Sequence, residues 1–373
     1  MKLNKLLFAT FAMIAMVGCG ETPEPTPDPN PDEGQTGDAV YTIAVDKDTI
    51  EADGIDHVTF SILDENNNDI LVNEDGSDSD FLSKTYFVIK ESDKRLDRKT
   101  KTYSSIRNGE VTFYATIKGV RTQNTVTVKV QNRAKYEKYV QKVCVYQLTA
   151  TWCGYCPQMT EGLGKLRNGV NGENVIIMAA HAQDDYALPW TKQYDLGTYV
   201  CVNFGGGGFP YAVYDMKFGG GQRSESELNS TIEKHLLAYG ATCGVKISKA
   251  TIDAQGNAEI TASVKADKAG KFELGYAILA DNQPSKGGTE SVYNDVVAAV
   301  SDNYVQMQEG VSLAADEEYT TTFKVKVEPF RGVSFSANNY KVVVFAHSDA
   351  HGGIVDNANA CAFGKTADYE LNK

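Results

Sequence analysis

The sequence predicts a multidomain, largely β protein: an all-β sandwich near the N-terminus, an α/β domain in the middle and a second β-sandwich at the C-terminus. Three observations carry this expectation. Between residues 39 and 132, short runs alternate apolar and polar residues and are separated by Asp/Asn/Gly clusters, as in antiparallel strands with one wet face. Between 136 and 242, unbroken apolar runs take turns with stretches of helical spacing, which reads as strands and helices in alternation. From 243 to 373 the strand pattern returns.

Ahead of the first strand lies a targeting segment, residues 1–18. Lys2 and Lys5 charge its start, and residues 6–17 are apolar except for Thr10, a run too short to span a bilayer comfortably. It ends Met16-Val17-Gly18-Cys19, which resembles a bacterial lipobox and implies cleavage before Cys19 and lipidation of that cysteine. An ordinary signal peptide with an incidental cysteine is the alternative. Residues 19–38 form a stalk. Five of the chain's ten prolines, Pro23, Pro25, Pro27, Pro29 and Pro31, fall there between Glu, Thr, Asp and Asn, a composition that favours extended polyproline II and buries nothing. The formal charge of −13 becomes two units more negative once Lys2 and Lys5 are removed. Such acidity argues against nucleic acid or an anionic membrane surface as a partner. No later stretch has the length and apolarity of a transmembrane helix, and no tandem repeat is present.

The N-terminal strands are expected at 41–45, 58–62, 86–89, 111–117 and 126–130. Ala52-Asp-Gly-Ile-Asp-His57 ahead of one strand and the polar turn 64–69 after it resemble bacterial immunoglobulin-like modules. That resemblance implies a spacer or an adhesive surface without chemistry. Asp48-Thr49-Ile50 resembles a short O-glycosylation signal of some bacteria.

In the middle segment, 143–148, 174–180 and 210–215 read as buried strands. Met159, Leu163 and Leu166 give helical spacing over 156–168. A second helix is expected over 224–239, with Ser224 or Ser226 as N-cap, Glu225 and Glu227 in the first turn and Gly240 as terminator. The chemistry sits at the first strand-to-helix junction, Thr149-Ala-Thr-Trp-Cys-Gly-Tyr-Cys-Pro157. Unpaired N–H groups and the macrodipole at a helix N-terminus favour a thiolate. Cys153 is then the attacking sulfur, and Cys156, one turn on, resolves the mixed disulfide. The same spacing also reads as half of a zinc site or as a permanently oxidised staple. Zinc needs a second ligand pair, whereas Cys144, Cys201, Cys243 and Cys361 are isolated, so neither a metal nor another cofactor is expected.

Trp152 to Pro157, followed some fifty residues later by Gly208-Phe-Pro-Tyr-Ala-Val-Tyr-Asp215, resembles the thioredoxin family. The resemblance implies a thioredoxin-like domain over 136–242, with Pro210 as a cis-proline packed against the two sulfurs. It leaves the Phe209 backbone free to pair with a substrate chain, so Trp152, Phe209 and Pro210 are the expected substrate-binding residues. Gly154-Tyr155 between the cysteines is similar to the dipeptide of bacterial disulfide isomerases. One position departs from the family: the buried aspartate six residues before the attacking cysteine is here Gln147. A neutral amide takes no proton, so slower exchange or isomerisation resting on Cys153 is expected rather than fast disulfide reduction.

The whole arrangement, with Cys156-Pro157 and this domain order, is similar to the outer-membrane-protein-28-related lipoproteins. That implies a lipid-anchored protein of the cell envelope, at the outer membrane, facing either the periplasm or the surface. In the C-terminal segment, strands are expected at 258–264, 271–279, 319–327 and 340–347, and a helix at 294–300. Cys243 and Cys361 are either a staple joining first and last strands or free thiols; Cys144 and Cys201 are expected to be buried and free. His181, beside Gln183, Asp184 and Asp185, is expected to be solvated at a strand end, with tuning of the cysteines as the alternative. His347 and His351 are assigned to a polar loop rather than to a metal. Gly205 to Gly208 lack the Gly-Lys-Ser/Thr of a phosphate loop and are read as flexibility beside Pro210. The expected function is a membrane-anchored thiol–disulfide oxidoreductase or isomerase acting on exported protein thiols and disulfides, or on a redox partner protein. A surface binding or adhesion lipoprotein that uses the fold as a scaffold is the alternative.

Overall fold

The computed structural model describes residues 40–97, 99–285 and 287–373, so the leader, Cys19 and the stalk lie outside the described residues. Among the described residues no helix is long and apolar enough to cross a membrane. The chain is mostly β, in several sheets, and divides into two compact units.

The first unit comprises residues 40–46, 59–101 and 111–127. The strands of this end of the chain are β1 (Thr42–Val45), β2 (Thr49–Glu51), β3 (Val58–Leu63), β4 (Thr85–Ile89), β5 (Gly109–Ile117) and β6 (Val126–Gln131). Within the unit, β1 runs antiparallel to β3, and β4 runs antiparallel to β5. Alternate residues of β3 are buried, as its sequence pattern predicts. Phe60 of β3 stacks on Phe87 of β4 at 4.5 Å and meets Phe113 of β5 at 5.0 Å, so three rings form the contact between the pairs.

The second unit comprises residues 47–58, 102–110 and 128–373. In it, β2 pairs in parallel with the end of β6. Its other elements are β7 (Val143–Thr149), α1 (Cys156–Asn168), β8 (Val175–His181), α2 (Leu196–Asn203), β9 (Tyr211–Tyr214), β10 (Phe218–Gly220) and α3 (Glu225–Ala238). Next come β11 (Cys243–Ile252), β12 (Asn257–Ala266), β13 (Gly270–Ala280), β14 (Val296–Val300), β15 (Val311–Leu313), β16 (Glu318–Lys326), β17 (Tyr340–Ser348) and β18 (Ile354–Ala362).

Every residue of β7 and β8 is buried, which explains why both read as largely apolar runs: each has both faces covered. They are parallel, in register from Val143↔Val175 to Thr149↔His181, and β9 joins β7 antiparallel. On one face α1 and α3 bury Met159, Leu163, Leu166, Leu228, Ile232 and Leu236. The two helices approach closely at Gly162, where a Cβ would lie 2.1 Å from the Arg223 carbonyl oxygen. A capping box of Ser224 and Glu227 starts α3. On the other face α2 buries Leu196, Val200 and Cys201.

The sheet does not stop at β8. A nine-stranded sheet runs β10-β9-β7-β8-β14-β13-β17-β18, with β15 also paired to β13. Thus C-terminal strands continue the sheet that carries the cysteine motif. The remaining strands, β11, β12 and β16, form a separate three-stranded sheet. Its Val245, Ile247, Ile260 and Val264 share a core with Phe272, Leu274, Val342 and Val344 of the large one.

One expectation requires correction, and one open alternative is decided. The helix expected at 294–300 is instead strand β14, because its Val-Val-Ala-Ala-Val run fills the open edge of β8 at Ala179↔Val296 and pairs with β13 on its other side. Cys243 and Cys361 are both free. Cys243 lies beside Asp356, with its Sγ 3.4 Å from that carboxylate, and residue 361 is several strand residues further along β18.

Candidate functional site

The C-terminal ends of β7 and β8 place the motif. After Thr149 the chain turns, and α1 begins at Cys156 with Pro157 in its first turn, where a missing N–H leaves no helical bond unmade. Cys153 and Cys156 form a disulfide at this junction. Cys156 is fully buried, and Cys153 retains 4% of its surface. Phe209 packs against Ala150 and both cysteines, and Trp152 meets the Phe209 ring edge-on at 5.9 Å. The Phe209–Pro210 peptide is cis, and Pro210 is buried. Among the described residues the Phe209 backbone N–H and C=O have no hydrogen-bond partner. Trp152 and Tyr155 are 55% and 64% exposed, an unusual amount of bare aromatic surface beside a disulfide. The Arg223 guanidinium lies over the Tyr155 ring at 5.5 Å. Of the glycines 205–208, Gly205 has φ +77°, while Gly207 and Gly208 have open space where a Cβ would stand.

No protein-family model matches this chain, and no curated protein matches it. Among solved structures it is similar to HBP35 of Porphyromonas gingivalis, at 22% identity and a TM-score of 0.50, over 61% of this chain and 77% of that one. The likeness is one of fold. Further similarities are to an Agrobacterium tumefaciens protein (16% identity, TM-score 0.40, 61% of this chain and 96% of that one) and to a domain of the outer membrane lipoprotein Omp28 from Porphyromonas gingivalis (20% identity, TM-score 0.22, 33% of this chain and 88% of that one).

Beneath the motif, polar side chains occupy the end of an otherwise apolar layer. Gln147 donates from Nε2 to Thr160 Oγ1 at 2.7 Å. The Thr160 hydroxyl lies 2.9 Å from Glu290 Oε1 and 3.3 Å from the Cys156 carbonyl oxygen. Burial raises the Glu290 carboxyl pKa above its ordinary value, opposed by the Thr160 bond and by His181. Thr289, next to it, donates from Oγ1 to the Cys153 carbonyl at 3.3 Å and from its N–H to the Thr151 carbonyl at 3.1 Å. A Cβ on Gly288 would lie 2.3 Å from the Tyr293 hydroxyl and 3.1 Å from Thr151, so a side chain here would push Tyr293 aside and crowd the motif. None of Thr160, Gly288, Thr289 or Glu290 carries a sequence signal that links it to the cysteines.

His181 departs from the solvated state expected of it. It is buried, its Nδ1 donates to Asp184 Oδ2 at 2.8 Å, and Tyr186 and Tyr293 hold the ring at 5.4 and 5.1 Å. Asp184 Oδ2 also accepts from the Thr151 N–H at 2.7 Å, tying the histidine to the turn that leads into Cys153. The Asp184 carboxyl is held below its ordinary pKa: burial raises it, but the bonds from His181, Thr151 and Tyr186 together outweigh that. His181 Nε2 and Thr149 Oγ1, both buried, have no hydrogen-bond partner among the described residues.

The other candidates lie elsewhere. His347 is a buried residue of β17 rather than part of a polar loop; its Nε2 donates to the Asn303 carbonyl at 2.7 Å, and burial lowers its pKa. His351 donates to the Gly240 carbonyl. No group of three or more His, Cys, Asp or Glu suited to a metal occurs among the described residues. Cys144 and Cys201 are free and buried, and burial pushes both thiols up.

Proposed function

We propose that this chain is an envelope lipoprotein, anchored through Cys19, whose thioredoxin-like segment exchanges thiols and disulfides with exported proteins. Cys153 attacks, Cys156 resolves, and a substrate segment lies along Phe209 and Pro210 with Trp152 against it. The observation that carries the reading is the position of the Cys153–Cys156 disulfide: at a strand-to-helix junction, beside exposed Trp152 and an unpaired Phe209 backbone. An unpaired main-chain N–H and C=O offer an extended peptide two hydrogen bonds without regard to its sequence. The rival is a binding or adhesion lipoprotein with an inert disulfide, favoured by the near-complete burial of both cysteines.

Thiol alkylation across a graded glutathione series separates the two. A reduction potential between about −120 and −270 mV belongs to working exchange catalysts. Resistance to reduction below about −300 mV, or until the chain unfolds, would leave the binding reading in place. Cys153→Ser abolishes exchange under the first reading and leaves ligand capture intact under the second.

A further inference from the structure

The three-stranded sheet of the second unit ends in a strand with one bare edge. Its order is β11-β12-β16, and among the described residues no strand pairs with the far side of β16. The other outer strands of this sheet and of the nine-stranded one are tied or short. Ile247 of β11 exchanges two main-chain hydrogen bonds with Ala367, at 2.8 and 3.0 Å. Asn357 and Asn359 of β18 donate from their side chains to the Cys243 and Val245 carbonyls of β11. β10 and β15 have three residues each. β16 has nine, all at least partly exposed, and Tyr319 keeps 37% of its surface bare. An open strand of this length is a template for another strand.

The paired side of β16 shows which of its groups are open. β12 and β16 run antiparallel without a bulge, from Asn257↔Lys326 to Lys265↔Glu318. Just beyond the two ends, the Glu317 carbonyl accepts from the Ala266 N–H and the Val327 N–H donates to the Gly256 carbonyl. In an antiparallel ladder the N–H and C=O of alternate residues turn to the same side. Odd-numbered residues therefore bond to β12, and Glu318, Thr320, Thr322, Lys324 and Lys326 turn their main-chain groups outward. Their side chains share the face away from the core, where Thr320 meets Ser263 at 2.7 Å and Thr322 meets Thr261 at 3.0 Å. Phe323 and Val325, on the other face, pack against the core.

We propose that β16 pairs with β16 of a second copy of this chain, antiparallel about a two-fold axis at Thr322, so that two three-stranded sheets become one. The charges of the strand decide for this occupant and this direction. Glu318 stands opposite Lys326 of the copy, Thr320 opposite Lys324, and Thr322 opposite itself. Every outward main-chain group of the nine residues then finds a partner. On the core side Tyr319 meets Val325 and Thr321 meets Phe323, rings against β-branched side chains. A one-residue slip would set open groups against groups already bonded to β12. A parallel pairing would bring Glu318 beside Glu318 and lysine beside lysine, which like charges oppose. The strand is thus complementary to its own reverse, as an isologous two-fold contact requires. This contact is independent of the exchange reading.

Cysteine cross-linking of the full chain in mild detergent tests the register. Opposite residues of a hydrogen-bonded antiparallel pair have Cα atoms about 5.5 Å apart, within reach of a disulfide. Thr322→Cys should therefore give a covalent dimer on mild oxidation, roughly tenfold more than wild type. Thr320→Cys should not, because its two copies would stand four residues apart, about 13 Å. Sedimentation of the uncross-linked chain tests the charges. Lys326→Glu should weaken dimerisation roughly tenfold, and Glu318→Lys combined with Lys326→Glu should restore it. A wild type that stays monomeric as its concentration is raised overturns the proposal. Equal cross-linking at 320 and 322 overturns it too, as does a dimer indifferent to Lys326→Glu, which would place the contact elsewhere.

Discussion

Two acid-centred clusters of the second unit differ in how completely they are satisfied. Asp356, buried at the start of β18, accepts from the Thr242 N–H at 2.7 Å, the Thr242 hydroxyl at 2.6 Å and the Ser348 hydroxyl at 2.6 Å. It ties the approach to β11 and the end of β17 to β18, with the Cys243 thiol and the His351 ring also 3.4 Å from its carboxylate. Glu290 is half-buried, its carboxylate is bonded to the rotatable Thr160 hydroxyl, and it feels the charge of His181, whose Nε2 has no hydrogen-bond partner among the described residues. A fully satisfied buried cluster has one arrangement and fixes a fold, whereas a cluster with open valences has several. The first has a single arrangement, and the second can take up more than one.

Three changes would sharpen or break that contrast. The largest effect is expected from Asp356→Ala, which strands the Thr242 and Ser348 donors in the core and should cost about 3 kcal/mol or more in urea unfolding. A loss below about 1 kcal/mol would mean that the cluster fixes nothing. Next, Trp152→Ala removes an exposed ring, so stability should stay within about 0.5 kcal/mol of wild type. Binding of an unfolded, cysteine-containing peptide should weaken roughly tenfold or more, as for an aromatic anchor; unchanged binding would take Trp152 out of the substrate surface. The smallest effect concerns Glu290→Gln and pH. Burial raises the Glu290 carboxyl pKa in the folded chain, so folding disfavours its ionised form. That penalty is absent in acid, grows as pH rises through the ordinary carboxylate range, and is complete above the raised folded value. The variant should match wild type at about pH 3 and be slightly the more stable at pH 8. A less stable variant at pH 8 would assign Glu290 to the Asp356 class.

Elements whose pattern is set locally were legible in the sequence. The apolar runs of β7 and β8, the spacing of Met159, Leu163 and Leu166, and the Ser224–Glu227 cap all specify their own structure. The five-residue apolar run of β14 does not, because such a run suits a helix or a strand equally until a neighbour decides. Here the neighbour is the edge of β8, more than a hundred residues earlier. The site divides along the same line. Cys153, Cys156, Trp152 and Phe209 belong to recognisable local motifs. Thr289 and Glu290 reach the motif only through the fold, and His181 is dry only because Tyr186 and Tyr293 close over it.

The continuous sheet also bears on how the chain comes off the ribosome. The strand that closes the edge of β8 is made about 115 residues after it, and long-range pairing of this kind folds slowly. Until then β8 offers a nascent Val-Ile-Ile-Met edge to any other strand nearby. A chain cut after Thr242 would keep both cysteines and that bare edge together, and would be expected to clump. The C-terminal strands thus cover an edge that the segment carrying the disulfide would otherwise leave bare.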